Sequence, residues 1–399
     1  MPQPSAFSRR RFLQLSALSS GVILAGQNTT ADIRELGPWA SPYGKRSRHE
    51  TAVRDATGIV MQESETPQQA LSGTITPSAL HYERHHAGIP DINPDTHQLL
   101  IHGMVERPLT FSMADLYRMP QTCRTYFLEC AGNGEHSFEV GEKTSPQKLC
   151  GLFSQSEWCG VALGSLLRET GLKPRASWLL AEGADACLLT RSIPVEQALD
   201  NVIVAYAQNG EAVRPAQGYP LRLIVPGCEG NMNVKWLRRI EVSDQPFMTR
   251  EETSKYSDPL RNGTVRQFSF VMDAKSIITR PTYPMQLEKG WHEIRGVAWS
   301  GRGKVKSVEV SDDGGKSWHS ADIQPPILNK SSVRFGLLWN WDGTERILTS
   351  RATDDTGYVQ PSVKELIAIR GKQSLRYHNN TMISWRVQPD GLVTYLRTD

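Results

Sequence analysis

The chain has 399 residues, enough for two domains of ordinary size, each with its own core. Charged residues make up 22% and the formal net charge is only +3, which excludes the dense basic surface of a nucleic-acid binder. Ten tryptophans, several in the C-terminal third, exclude a disordered chain and suit packed β structure with pockets.

The N-terminus reads Ser8-Arg9-Arg10-Arg11-Phe12-Leu13-Gln14 and continues into a weakly apolar run from Leu15 to Gly26. A basic segment, a short apolar segment and small residues in that order predict an export signal over residues 1–30. The run is shorter than the roughly 20 residues that a membrane-spanning helix needs. Arg9-Arg10 ahead of Phe12-Leu13 fits the twin-arginine pattern, the route for proteins that fold before export, so a periplasmic location is expected. No comparable apolar run follows, and no membrane span is expected. Residues 31–75 are polar without sustained periodicity and predict an extended arm.

From His97 the pattern changes. Leu99, Ile101, Gly103 and Val105 alternate as a strand, and Ser112-Met-Ala-Asp115 predicts a capping box opening a helix that Pro120 stops. Arg124–Glu129, Trp178–Ala181, Val202–Tyr206 and Leu221–Pro226 read as short strands. Val161–Thr170 reads as a helix ended by Gly171. Together these predict an α+β domain over residues 76–245, then a charged, turn-rich linker over 246–275. Residues 276–399 read as nearly all strand: Glu293–Trp299, Val305–Ser311, Phe335–Trp341, Arg346–Thr353 and Glu365–Ile369. Asp312-Asp313-Gly314-Gly315 is a hairpin turn among them. Such spacing predicts an immunoglobulin-like sandwich.

Six cysteines stand at 123, 130, 150, 159, 187 and 228, and spacing alone does not give their pairing. If Cys130 is taken by a metal, at least one other stays unpaired. No Cys-x-x-Cys-His occurs, so this chain attaches no c-type haem.

Three segments carry the chemistry: Tyr82-Glu-Arg84-His85-His86, Phe127-Leu-Glu-Cys130-Ala-Gly-Asn133-Gly134, and Asn233-Val234-Lys235-Trp236. A cysteine at a strand end is usually a small buried apolar residue. Here glycine-rich backbone follows at once, so the thiolate can face something large. Taken together and in this order, the segments resemble the molybdenum domain of the sulfite oxidase family. Ala298-Trp299-Ser300-Gly301, the Asp-Gly-Gly turn and Trp318 resemble that family's dimerisation domain. The resemblance covers residues 75 to 395 and implies a molybdopterin-binding domain followed by the sandwich.

What the resemblance implies is specific. Cys130 would be the protein ligand to molybdenum. His86, Asp185, Gln217, Arg222, Asn233, Val234 and Lys235 would hold the molybdopterin, with Arg222 as a phosphate partner. Arg84, Lys304 and Arg302 would hold an anionic substrate. The family's linker tyrosine has no direct counterpart, and Tyr256 is its candidate replacement. A basic residue usual after the metal cysteine is absent, and Glu135 stands in that stretch. These departures resemble the molybdenum subunit of sulfur-oxidation systems. That subunit oxidises sulfite or protein-bound sulfane sulfur by oxygen-atom transfer and passes electrons to a separate cytochrome c, as a homodimer or a heterotetramer with the cytochrome. Two other readings remain, a reductase of the same fold and a non-catalytic exported binding module.

Overall fold

The computed structural model describes residues 39–58 and 63–397. The twin-arginine segment lies outside the described residues. The chain divides into Met1–Thr51 and Ala52–Asp399, and the architecture below is that of the second unit.

Two five-stranded sheets form the first domain. One runs Leu109–Ser112, Gln98–Gly103, Leu237–Ser243, Trp178–Gly183, Thr190–Pro194, with Gln98–Gly103 and Leu237–Ser243 parallel and the rest antiparallel. The other runs Glu211–Ala212, Ile203–Gln208, Phe153–Ala162, Gln121–Glu129, and Arg222–Ile224 also pairs with Ile203–Gln208. Leu99 and Ile101 are fully buried, as their alternation predicts, and share a core with Val161, Leu179, Leu223 and Ile240. The helix Leu163–Thr170 adds Leu163, Leu166, Leu167 and Thr170, the i, i+3, i+4, i+7 stripe of an amphipathic helix. The expected first residues of that helix, Val161 and Ala162, instead finish the preceding strand. Gly171 then ends the helix at φ +70°. The expected capping box is present: Ser112 Oγ accepts from the Asp115 N–H and Asp115 from the Ser112 N–H.

The arm contributes strands Asp55–Gly58 and Glu63–Glu65, which pair with Glu83–Arg84 in a three-stranded sheet. Register puts Glu63 opposite Arg84. The second domain is an antiparallel sandwich. One sheet runs Lys275–Arg280, Gly290–Trp299, Val333–Trp341, Asp322–Gln324, and the other His319–Ser320, Val305–Ser311, Arg346–Asp354, Ser384–Val387, Val393–Leu396. Trp299, Phe335, Leu348 and Trp385 fill the space between them. The Asp-Asp-Gly-Gly turn has Gly314 and Gly315 at φ +74° and +91°.

One expected strand is a helix. Glu365–Ile369 lies within the helix Val363–Arg370, opened by a capping box between Ser362 and Glu365. Two satisfied N-terminal donors outweigh the β-branched content of the segment. The charged linker is also not a solvated tether, since Glu251 and Glu252 are buried at 3% and 0% exposure.

One buried cluster binds the domains. Glu129, at the end of its strand, accepts from Trp299 Nε1 at 2.7 Å and from Lys275 Nζ at 3.3 Å. All three side chains are buried. Cys123 and Cys159, cross-strand partners in the first domain, form a disulfide, leaving Cys130, Cys150, Cys187 and Cys228 free.

Candidate active site

Cys130 follows the last residue of Gln121–Glu129, where the strand stops and the chain turns. Its N–H donates to Leu152 O, and its carbonyl accepts from the Asn133 N–H at 2.9 Å. Gly134 stands at φ +98° in this turn, a conformation open to glycine and strained for other residues. Burial pushes the Cys130 thiol up to about 12, with the Gly132 N–H and Arg84 pulling the other way. Such a thiol stays protonated at neutral pH. A soft metal ion that displaces the proton is the agent that makes it a thiolate.

A cleft enclosing about 640 Å³, counting its open mouth, extends from Cys130. Along it stand two cations with no carboxylate at ion-pair distance among the described residues, although Asp185, in the same cleft, acts on Lys235 from further off. Arg222, 3% exposed, donates to Gln217 O at 2.7 Å, Gln217 Oε1 at 3.2 Å and Asn233 O at 3.1 Å, and lies over the Trp158 ring. Its Nε has no partner. Burial pulls its guanidinium down to about 10. Lys235 Nζ donates to the carbonyls of Arg84 and Ala216 and meets His85 Nδ1 at 2.7 Å. Burial, and then Arg222, hold it well below the ordinary lysine range. Among the described residues, neither cation makes an ion pair with a carboxylate. Buried cations left in this state call for an anion from outside the chain.

The histidines here are neutral. Burial pulls His81 and His85 down to about 3 and His86 to about 4, helped for His85 by Lys235 and for His86 by Arg84. They act as hydrogen-bonding groups, not charges. His86 Nε2 lies 3.2 Å from the Tyr256 hydroxyl. Tyr256 in turn packs against the Tyr377 ring, with the Arg191 guanidinium 5.2 Å from its centroid. Arg191 is fully buried and fully compensated: its Nη1 pairs with Glu229 and its Nε with Glu252, both at 2.8 Å. His378 completes the cluster through Glu229 Oε2 at 2.9 Å.

The structure therefore brings Arg84, His86, Cys130, Asp185, Gln217, Arg222, Asn233, Lys235 and Tyr256 to one cleft. Their parts differ. Asp185 accepts from the Leu189 N–H and the Cys187 thiol, fixing the loop between them. Asn233 accepts from the Val225 N–H through Oδ1 and donates to Glu229 O, bracing the backbone that faces Arg222. Arg84 approaches Glu63 at 3.7 Å and donates to the carbonyl of His85. Val234 is core, fully buried with its side chain among apolar neighbours.

Arg302 and Lys304 do not line the cleft. Arg302 pairs with Asp273 at 2.6 Å and lies over the Tyr358 ring, and Lys304 is exposed with its backbone bonded to Asp355. The acidic partners Asp273 and Asp355 draw this segment to the sandwich. The sequence reading missed His81, Tyr82, His85, Trp236, Tyr377 and the whole Arg191 cluster. Four of these, His81, Tyr82, His85 and Trp236, lie within or beside the segments already singled out, where no role had been assigned to them.

Comparison with known proteins accords with this geometry. Residues 86–251 match the oxidoreductase molybdopterin binding domain and residues 266–384 the Mo-co oxidoreductase dimerisation domain. The chain is similar to the crystal structure of the sulfane dehydrogenase SoxCD from Paracoccus pantotrophus, at 43% identity and TM-score 0.84, over 92% of this chain and 98% of that one. It is 30% identical to mitochondrial sulfite oxidase of Macaca fascicularis over 365 residues, 85% of this chain and 67% of that protein. It is also 33% identical to an NADH nitrate reductase of Phaseolus vulgaris, over 74% of this chain and 37% of that protein. The cleft fits the cofactor these domains hold: the orphaned Nε of Arg222 and the unpaired Lys235 suit a phosphate, and a buried soft thiol suits molybdenum. On domains, relatives and cleft together, the chain belongs to the sulfite oxidase family of molybdopterin oxidoreductases, as a member of the SoxC type.

Proposed function

We propose that this protein is a periplasmic, molybdenum-dependent dehydrogenase that oxidises sulfite or protein-bound sulfane sulfur and passes the electrons to a separate cytochrome c. The observation that carries the reading is the cleft itself: a buried thiol at one end and two cations along it, buried Arg222 and half-buried Lys235, with no ion-pair partner among the described residues. When bound, the molybdenum cofactor supplies oxygen-atom transfer to sulfur and the storage of two electrons.

The chain's residues do the rest. Arg222 and Lys235 hold the pterin phosphate, and Cys130 fixes the metal. Arg84, part-buried beside the thiol, offers positive charge to an anionic sulfur substrate. His86 and Tyr256 present neutral hydrogen-bonding groups at the same end of the cleft. Glu135 sits near enough to raise the thiol further, and its own carboxyl is raised by burial. A carboxyl there disfavours a free dianion and leaves room for a sulfur presented on another protein.

Export by the twin-arginine route rests on Arg9-Arg10, and the Cys123–Cys159 disulfide favours an oxidising compartment. The dimerisation domain and the likeness to SoxCD support a homodimer or a heterotetramer with the cytochrome. The likeness to nitrate reductases makes a reductase of this fold the second reading. Steady-state assay of the purified protein tests both. Reduction of cytochrome c with sulfite or with protein-bound sulfane is the expected result. Activity only as a nitrate reductase, with a reduced dye as donor, would favour the second.

A further inference from the structure

A second charged cavity lies away from the cofactor cleft, between the outer face of the four-stranded sheet of the sandwich and the loop Gln69–Gly73 of the arm. Counting its open mouth, as for the cofactor cleft, it encloses about 830 Å³. Three arginines meet there because strand register puts them on one face. Arg280 stands directly opposite Arg295 across Lys275–Arg280 and Gly290–Trp299. Arg295 stands opposite Gly336, and Arg334, two residues before Gly336 on that strand, faces the same side beside Gln324. Like charges in direct cross-strand register destabilise a sheet unless something lies between them.

Little within the chain compensates these charges. Arg295 approaches Glu293 at 3.5 Å, a pair half exposed on both sides. Arg334 donates through Nε to the Gly73 carbonyl at 2.6 Å. Among the described residues, neither Arg280 nor Arg334 makes an ion pair. Asp322, in register with Gly336, makes none either and does not line the cavity. Burial, and then Arg295, pull the Arg334 guanidinium down to about 10. The Glu293 carboxylate lies over Gly336, 2.9 Å from where a Cβ would stand, and does not line the cavity, so it reaches Arg295 and leaves Arg280 and Arg334 without an acid. The loop roofs the cavity, which suits a small ion better than a protein surface.

We propose that Arg280, Arg295 and Arg334 form a binding site for a small tetrahedral oxyanion, sulfate or phosphate. Planar guanidinium groups converging from three strands offer forked donors to such an ion. A bound dianion relieves the Arg280–Arg295 and Arg295–Arg334 repulsion and ties the arm loop to the sandwich through Arg334 and Gly73. The site is separate from the cofactor cleft and shares no lining residue with it.

Calorimetric titration of the purified holoenzyme with sulfate, and separately with phosphate, at low ionic strength tests this. Wild type is expected to show a saturable site. Arg280→Gln and Arg295→Gln, both at exposed positions, should each weaken it at least tenfold and leave turnover with sulfite unchanged. Arg84→Gln, in the cofactor cleft, should keep it. Saturation by sulfate alone or by phosphate alone supports the site and identifies its source. Three results overturn the proposal: no saturable binding, binding lost in Arg84→Gln but not in Arg280→Gln, or Arg280→Gln changing the oligomeric mass in light scattering while anion binding persists. The last would make this face an interface between copies instead.

Discussion

Arg191 on one hand, and Arg222 with Lys235 on the other, are cations of the first domain that are finished differently. Arg191 has both of its acids, Glu229 and Glu252, with His378 closing the cluster. Arg222, also buried, and Lys235, half-buried in the cleft wall, have only carbonyls, an imidazole and aromatic faces. The first arrangement is complete within the chain and braces Tyr256 from below. The second is complete only with an added anion. A buried charge therefore marks a ligand site by what it lacks, and a perturbed or buried group alone does not.

The largest effect is expected at the metal end. Cys130→Ser should fold normally by circular dichroism yet abolish turnover, with molybdenum content and sulfur-ligand signature changed in X-ray absorption. Full activity in that variant would remove Cys130 from the centre.

The contrast between the clusters gives the next. In cofactor-free protein, Arg191→Met should cost about 3–5 kcal/mol in urea unfolding, because two carboxylates are left buried without their partner. Arg222→Met in the same form should leave stability unchanged or raise it. Equal losses would show that Arg222 is already satisfied by its carbonyls.

At the substrate end, Arg84→Gln should lower kcat/KM for sulfite more than tenfold, as loss of a charge-assisted contact of about 1.5–3 kcal/mol implies. Lys304→Met, outside the cleft, should change it by less than twofold. The reverse ranking would put the substrate on the sandwich side. Glu135→Arg should lower KM for sulfite, and an unchanged KM would remove the electrostatic reason for preferring a protein-bound sulfur.

A smaller effect follows from pH. Lys235 has its folded pKa below the ordinary value of 10.5. Below that lowered pKa both states carry the proton and the full penalty for burying the charge is present. As pH rises through it, the folded state sheds its proton first, so cofactor-free protein should gain stability up to about pH 10.5. Lys235→Met should lack this gain, measured by urea midpoints across alkaline pH.

Much of this site was legible along the chain because its parts are local. Cys130 precedes its turn glycines directly, and Arg84, His86 and Lys235 sit in short distinctive segments. The strands Val305–Ser311 and Arg346–Asp354 follow from alternation and a glycine turn. The Arg191 cluster was not legible, because its partners lie 38, 61 and, for Glu229 with His378, 149 residues apart. Arg302 was misplaced for the same reason, since Asp273 is 29 residues upstream. The helix Val363–Arg370 carried its own signal in Ser362 and Glu365, which the apolar residues between obscured.

The most direct test of the account is the pterin content of purified Arg222→Met, measured by fluorescence after oxidative release and set against Arg302→Gln made in the same host. The account predicts less than a tenth of the wild-type pterin in Arg222→Met and a full complement in Arg302→Gln. Full pterin in Arg222→Met would contradict the claim that the unpaired cations of the cleft are there for the cofactor's phosphate.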